Sequence, residues 1–344
     1  MEASSGPAHR WRRRPEGSNW GDFGADDQVG RMNLITPERR LGAVQEVKAG
    51  LCFPLSLPLD YPGWTSHAGG RNPPVLFASK NAHGASMYNL VLGLGPDPRG
   101  VVCDDAVILH TQYSTQWDSL AHWGARFDAD DDGVEELVYY NGYRAGDHLV
   151  APDGDSPPRA LALGIENLAE VGAQGRAAVV SLLDAFGPGR TWVGYDELDH
   201  AMRAQSAEVR PGDFLLLHTG FDDQVLAMNG KPDRAALSQA GAVLDGRDPR
   251  LLQWVADSGV VALCSDNVAV EGFGFEDGSA GDHSMLPLHD LCLFKLGIHL
   301  GELWRLGDLA RWLLNEKRSA CLLTAPPLRL PGAVGSPVTP VATV

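Results

Sequence analysis

Three short apolar runs, Ala177–Asp184, Asp213–Thr219 and Gly259–Ser265, each close on polar residues. Each reads as a strand buried on both faces that delivers polar side chains at its C-terminal end. Helical patterns lie between the runs, at Tyr195–Met202 and Leu251–Ala256. Strands alternating with helices predict an α/β sheet core. Later, Leu303, Leu306, Leu309, Ala310 and Leu313 recur at helical spacing within residues 302–314, which predicts an amphipathic helix covering that sheet.

At 344 residues the chain can bury a sizeable core as one large domain or two small ones. No repeat or low-complexity tract divides it. Clusters of Pro and Gly at 57–74, 94–100, 151–158 and 326–337 read as surface loops. A formal net charge of -16 repels phosphate backbones and argues against a nucleic-acid partner. No run approaches the ~18 apolar residues of a membrane span. Arginines at 10 and 12–14 are followed by no apolar stretch, so the N-terminus is not a signal peptide. Residues 1–17 are expected to form a mobile tail and 18–344 a single domain. The five cysteines (Cys52, Cys103, Cys264, Cys292, Cys321) form no CxxC pair, and three sit in apolar runs, which fits a reducing, cytoplasmic setting.

The loudest simple motif is a decoy. Asp128-Ala-Asp-Asp-Asp-Gly133 copies the start of an EF-hand loop, but position 12 is Tyr139 where calcium loops need a glutamate. A solvated acidic turn is the expectation. There is no GxSxG elbow, no HExxH, and Gly93-Leu-Gly95 does not continue as a dinucleotide fingerprint.

The informative stretch is Ala106–His122. It begins as an apolar strand and turns polar, and an extended backbone would place His110, Gln112, Ser114, Gln116 and Asp118 on one face. His122 follows Asp118 by four residues, within reach through a turn. Polar groups converging at a buried strand end must bond one another or a ligand. That reasoning leaves two readings open, a site or a satisfied buried network.

Gln112-Tyr-Ser-Thr-Gln-Trp-Asp-Ser-Leu-Ala-His122 resembles, in register, the HxGTHxDxPxH motif of the cyclase superfamily, the group of kynurenine formamidases and isatin hydrolases. Thr115, Asp118 and His122 match it. Gln112 and Gln116 stand where two metal-binding histidines would be, Ser114 replaces the Gly, and Leu120 the Pro. Asn19–Gly24, Asp27–Gly30 and Asn33–Glu38 resemble the N-terminal signature of a glutamine-bearing branch. Arg210–Gly220, Ser265–Asn267, Pro287–His289, Gly297–Glu302 and Pro326–Pro337 resemble its later elements.

The resemblance implies the swivelling β/β/α fold of that family, usually a homodimer or higher oligomer, acting on a small molecule. It implies a hydrolase or cyclase working at an amide, ester or activated carbonyl, with Asp118 and His122 in acid–base roles. A metal-free cyclase or dehydratase of a secondary metabolite, or an inactive binding protein, are the alternatives. Asp118, His289 and Glu302 would be the ligands of one divalent metal, manganese or zinc, if one binds. An amide oxygen is a weak zinc ligand, so Gln112 and Gln116, with Ser114 and His283, are expected to line the substrate pocket instead. His299 is expected to be structural or surface.

Overall fold

The computed structural model describes residues 10–63, 70–94, 96–273 and 284–344. Nine strands build its central sheet, numbered here along the chain: β1 (Cys52–Pro54), β2 (Gln116–Asp118), β3 (Gln174–Ser181), β4 (Phe214–His218), β5 (Ala262–Ser265), β6 (His299–Glu302), β7 (Ala320–Thr324), β8 (Gly335–Pro337) and β9 (Val341–Thr343). Their spatial order is β1-β9-β7-β3-β4-β5-β6-β2-β8. The four central strands β3, β4, β5 and β6 run parallel, and the flanking pairs are antiparallel.

The three apolar runs are β3, β4 and β5, and alternation explains why they carry no polar face. Ala178, Val180, Leu215, Leu217 and Leu263 point to one face, against helices α1 (Tyr195–Ala204) and α2 (Pro249–Ser258). Ala177, Val179, Phe214, Leu216 and Cys264 point to the other, against α3 (Gly307–Asn315). Layers on both faces leave no strand position in water. Asp248 caps α2 by accepting from Arg250 N, Pro249 opens its first turn, and Gly259 closes it in the left-handed region (φ 72°). The other Asp248 oxygen accepts from Tyr195 N at 2.7 Å, so one carboxylate starts both helices of that face.

Two expectations change. The predicted helix over 302–314 begins only at Gly307: Glu302 belongs to β6, and Leu303 turns the chain at φ 54°. The helical spacing of Leu303 and Leu306 arises in a turn that is itself buried. Residues 10–17, expected in a mobile tail, lie on the fold. Trp11 packs edge-on to Trp20 at 5.7 Å, and Arg12 N donates to Ala129 O at 2.7 Å. A tryptophan offers enough apolar area to hold such a segment down. No described helix is long and apolar enough to cross a membrane.

Candidate active site

Strand β2 lies between β6 and β8, and that insertion builds the site. Its register sets Gln116 opposite Glu302 on one side, and Asp118 opposite Gly335 on the other. Opposed residues of antiparallel strands share a face, as do residues two apart, so Gln116, Asp118 and Glu302 meet. Gln116 Nε2 donates to Glu302 Oε2 at 3.1 Å and to Asp118 Oδ1 at 3.5 Å. All three side chains are buried.

Gln112 joins them by way of a glycine. A side chain on Gly335 would meet Gln112 Nε2 at 2.3 Å. The Gln112 amide therefore fills the space beside Asp118 that any larger residue at 335 would take. Gln112 Oε1 accepts from Thr111 Oγ1 at 2.8 Å, while its Nε2 is buried without a partner. Gln116 Oε1 and Asp118 Oδ2 are buried without partners as well. One orphaned donor and two orphaned acceptors in one pocket are costly unless a ligand meets them.

His289 comes from a short helix (Pro287–His289) and is fixed by an acid that the sequence reading passed over. Glu271 accepts from Leu288 N, from His289 N and, at 2.8 Å, from His289 Nδ1. That hydrogen bond turns Nε2 toward Glu302 Oε1, 3.6 Å away. Burial disfavours the imidazolium, but Glu271 and Glu302 on either side outweigh it and push His289 up to about 10. Burial also raises Glu302, and the ion pair with His289 overrides it, leaving that carboxyl below its ordinary range. Trp123 packs edge-on to the His289 ring, centroids 5.4 Å apart. Both acids adjoin left-handed backbone at non-glycine residues: Ala269 (φ 69°) and Val270 (φ 61°) precede Glu271, and Leu303 follows Glu302. For a β-branched valine this conformation is strained, and such strain gathers at sites the surrounding fold must hold in place.

His122 sits at the pocket edge, 20% exposed, with Nε2 3.8 Å from Asp118 Oδ1. Burial pushes Asp118 up to about 6; the His122 charge opposes the shift and Glu302 adds to it. Arg71, also missed in the sequence, contributes positive potential at both Asp118 and Glu302. A lone acid inside Val268-Ala-Val-Glu271 was a usable signal for Glu271; for Arg71 the sequence offered none.

The remaining candidates fall elsewhere. The extended run expected over 106–118 breaks: a strand covers Asp105–Ile108, a turn follows, and only Gln116–Asp118 is extended in the sheet. That first strand is exposed rather than buried. His110 Nδ1 therefore accepts from Asn72 N, away from Asp118, and Ser114 Oγ donates to Pro58 O at 3.3 Å. His283 lies outside the described residues. His299 is buried, with Nδ1 3.2 Å from Asp118 O, and burial pushes it down to about 4.

A second buried group, His218, Asp222 and Asp266, ends strands β4 and β5. Asp266 accepts from Thr219 N and Gly220 N, Asp222 from Gly307 N, and Ser181 Oγ lies 3.0 Å from His218 Nδ1. These bonds fasten turns to one another. On the surface, Asp128, Asp130 and Glu136 gather around Arg144, which lies 2.9 Å from Glu136 and 3.8 Å from Asp130.

Asp118, His289 and Glu302 offer one ligand atom each within 4.8 Å of one another. The donor set fits a divalent cation once His289 gives up its proton: an imidazole nitrogen turned by Glu271, two carboxylates, and an orphaned amide oxygen.

The family model described as "Putative cyclase" matches residues 53–272. A solved structure of a novel cyclase is similar over 95% of this chain and 97% of its own, at 29% identity and a TM-score of 0.74. Isatin hydrolase A from Labrenzia aggregata shares the fold at 13% identity and a TM-score of 0.53, covering 88% of this chain and 95% of its own. The Ralstonia solanacearum isatin hydrolase A gives 14% and 0.53 over 89% and 97%. No curated protein matches the chain.

Proposed function

The chain belongs to the cyclase family, and from that premise we propose that it hydrolyses, or closes, an amide or ester bond of a small molecule in the pocket around Asp118. The observation that carries this reading is the convergence of an orphaned donor, Gln112 Nε2, with a buried acid, Asp118, and an imidazole one-fifth exposed at the pocket edge, His122.

Addition to a carbonyl needs a donor at the developing oxyanion and a group that moves protons. Gln112 Nε2 supplies the donor. His122, at the pocket edge, takes a proton from the attacking water or hydroxyl and returns it to the leaving atom. Asp118 holds and tunes the imidazole. Buried His289 and Glu302 close the floor of the pocket and set its charge. A divalent cation, held by Asp118, His289 and Glu302, would add Lewis acidity toward the carbonyl oxygen.

A metal-free variant of the same chemistry, including ring closure or dehydration of a secondary metabolite, is favoured by one contact. Gln116 Nε2 bridges Glu302 and Asp118, supplying the positive edge that would otherwise be asked of a cation.

The experiment is a panel of small cyclic amides, lactones, N-aryl formamides and isatin, assayed after purification without chelator and again with manganese or zinc. Turnover of at least one member that disappears in His122→Ala supports the reading. Turnover that survives His122→Ala, or none across the panel alongside tight ligand binding, reassigns the pocket to binding alone.

A further inference from the structure

The bonds around the second buried group leave one atom over. His218 ends β4, Asp266 follows β5, and Asp222 lies in the first turn of the helix Phe221–Ala227. All three are 1% exposed or less. Backbone N–H groups of Thr219, Gly220 and Gly307 satisfy the carboxylates in part, and Ser181 Oγ meets His218 Nδ1 at 3.0 Å. His218 Nε2 is buried with no partner.

A buried ring nitrogen left alone is costly in either tautomer, as an N–H without an acceptor or a lone pair without a donor. The acids do not relieve it, yet each of the three residues offers a ligand atom within 4.8 Å of the others. His218 thus stands beside the acids without bonding them, an arrangement in which ligands bound at about 2 Å can close on one ion. Two buried carboxylates side by side also need a positive charge between them. The Arg311 guanidinium does not supply it, being engaged by Asp223 and Asp308. Without a cation, a proton shared by the two carboxyls takes that place, and a bound ion would release it to solvent.

We propose that His218, Asp222 and Asp266 form a metal site of their own, separate from the pocket around Asp118, that takes a divalent ion of the zinc class. One imidazole with two carboxylates is a borderline donor set, suited to zinc rather than to calcium or magnesium, which take oxygen alone. The two charges of the ion balance the two carboxylates. Ser181 is the positioning residue: by accepting Nδ1–H it fixes the ring with the lone pair of Nε2 toward the ion. Its own place is set by capping the helix Leu182–Phe186, where it accepts from Asp184 N at 3.1 Å. The ligands come from the ends of β4 and β5 and from an acid that also holds the start of α3, so the ion would staple the core.

Zinc content of the full chain, measured by atomic emission after dialysis against micromolar zinc, tests this. Asp118→Asn/Glu302→Gln removes ligands of the other pocket and should keep about one zinc per chain. Adding His218→Gln should bring it below about a tenth, with the circular dichroism spectrum unchanged. If either variant fails to fold, Ser181→Ala in the wild-type chain decides, because it leaves all three ligands in place. Its affinity for zinc should fall about tenfold or more. A wild type that binds no zinc overturns the proposal, and so does zinc that is absent from folded Asp118→Asn/Glu302→Gln. Zinc retained in full when His218→Gln is added, or an unchanged affinity where Ser181→Ala decides, means that the ion is held elsewhere and overturns it as well.

Discussion

Gln116 Nε2 donates to Glu302 Oε2 at 3.1 Å across the β2–β6 ladder, so an amide stands between two buried carboxylates. Imidazole cannot donate and accept through one planar amide group in the same way. Gln112→His/Gln116→His is therefore expected to gain zinc or manganese through Asp118 and to lose native turnover. Metal analysis and turnover of both proteins check this. Stoichiometric metal in the wild type, with activity removed by chelator and restored by the ion, would place the enzyme among metal-dependent hydrolases.

His122→Ala should lower turnover by ~10²-fold or more with the fold intact, because the imidazole is at the pocket edge and outside the core. Asp118→Asn should be impaired as severely. Turnover in both variants beside thermal melting of each separates chemistry from folding.

Glu271→Gln should cost about 3 kcal/mol of stability. It leaves the His289 imidazolium facing Glu302 alone and turns an amide N–H toward Leu288 N or His289 N. Urea titration measures the loss. An unchanged midpoint would mean that Glu271 does not hold the helix start.

Burial, and then the neighbouring Asp266, push Asp222 up to about 7 from an ordinary 3.8. A carboxyl raised on folding binds its proton more tightly in the native state. Its contribution is therefore fully present below about pH 4 and is lost as pH rises through about 7. Asp222→Asn, which cannot ionise, should flatten the stability curve across that window. Denaturation at pH 5 and 8, in both proteins, gives the comparison.

No calcium should bind the Asp128–Glu136 turn at micromolar levels. Arg144 already faces Asp130 and Glu136, and the bidentate glutamate position is Tyr139. Calorimetry finding a tight site that vanishes in Asp130→Ala would contradict this.

The sheet core was legible because β3, β4 and β5 are continuous apolar runs, a pattern that only two-sided burial explains. The pocket was legible where spacing or resemblance pointed to it: Gln116 and Asp118 share a face, and His289 and Glu302 lie with them. It was not legible where position depends on a partner strand. His110 and Ser114 have the right parity for that face, yet a turn at 110–115 sends them to Asn72 and Pro58. Gln112 reaches the pocket only because Gly335, distant in sequence, has no side chain. Glu271 acts through backbone amides, which no side-chain pattern announces.

The placement of β2 between β6 and β8 also dictates when the pocket can exist during synthesis. Its segments are made at 112–118, 271–302 and 335–337, and the first waits unpaired on both sides while more than 180 residues are added. A nascent chain short of residue 335 has β3, β4 and β5 but lacks the strand that confines Gln112. Nascent chains short of that residue therefore carry the parallel scaffold before the pocket is closed.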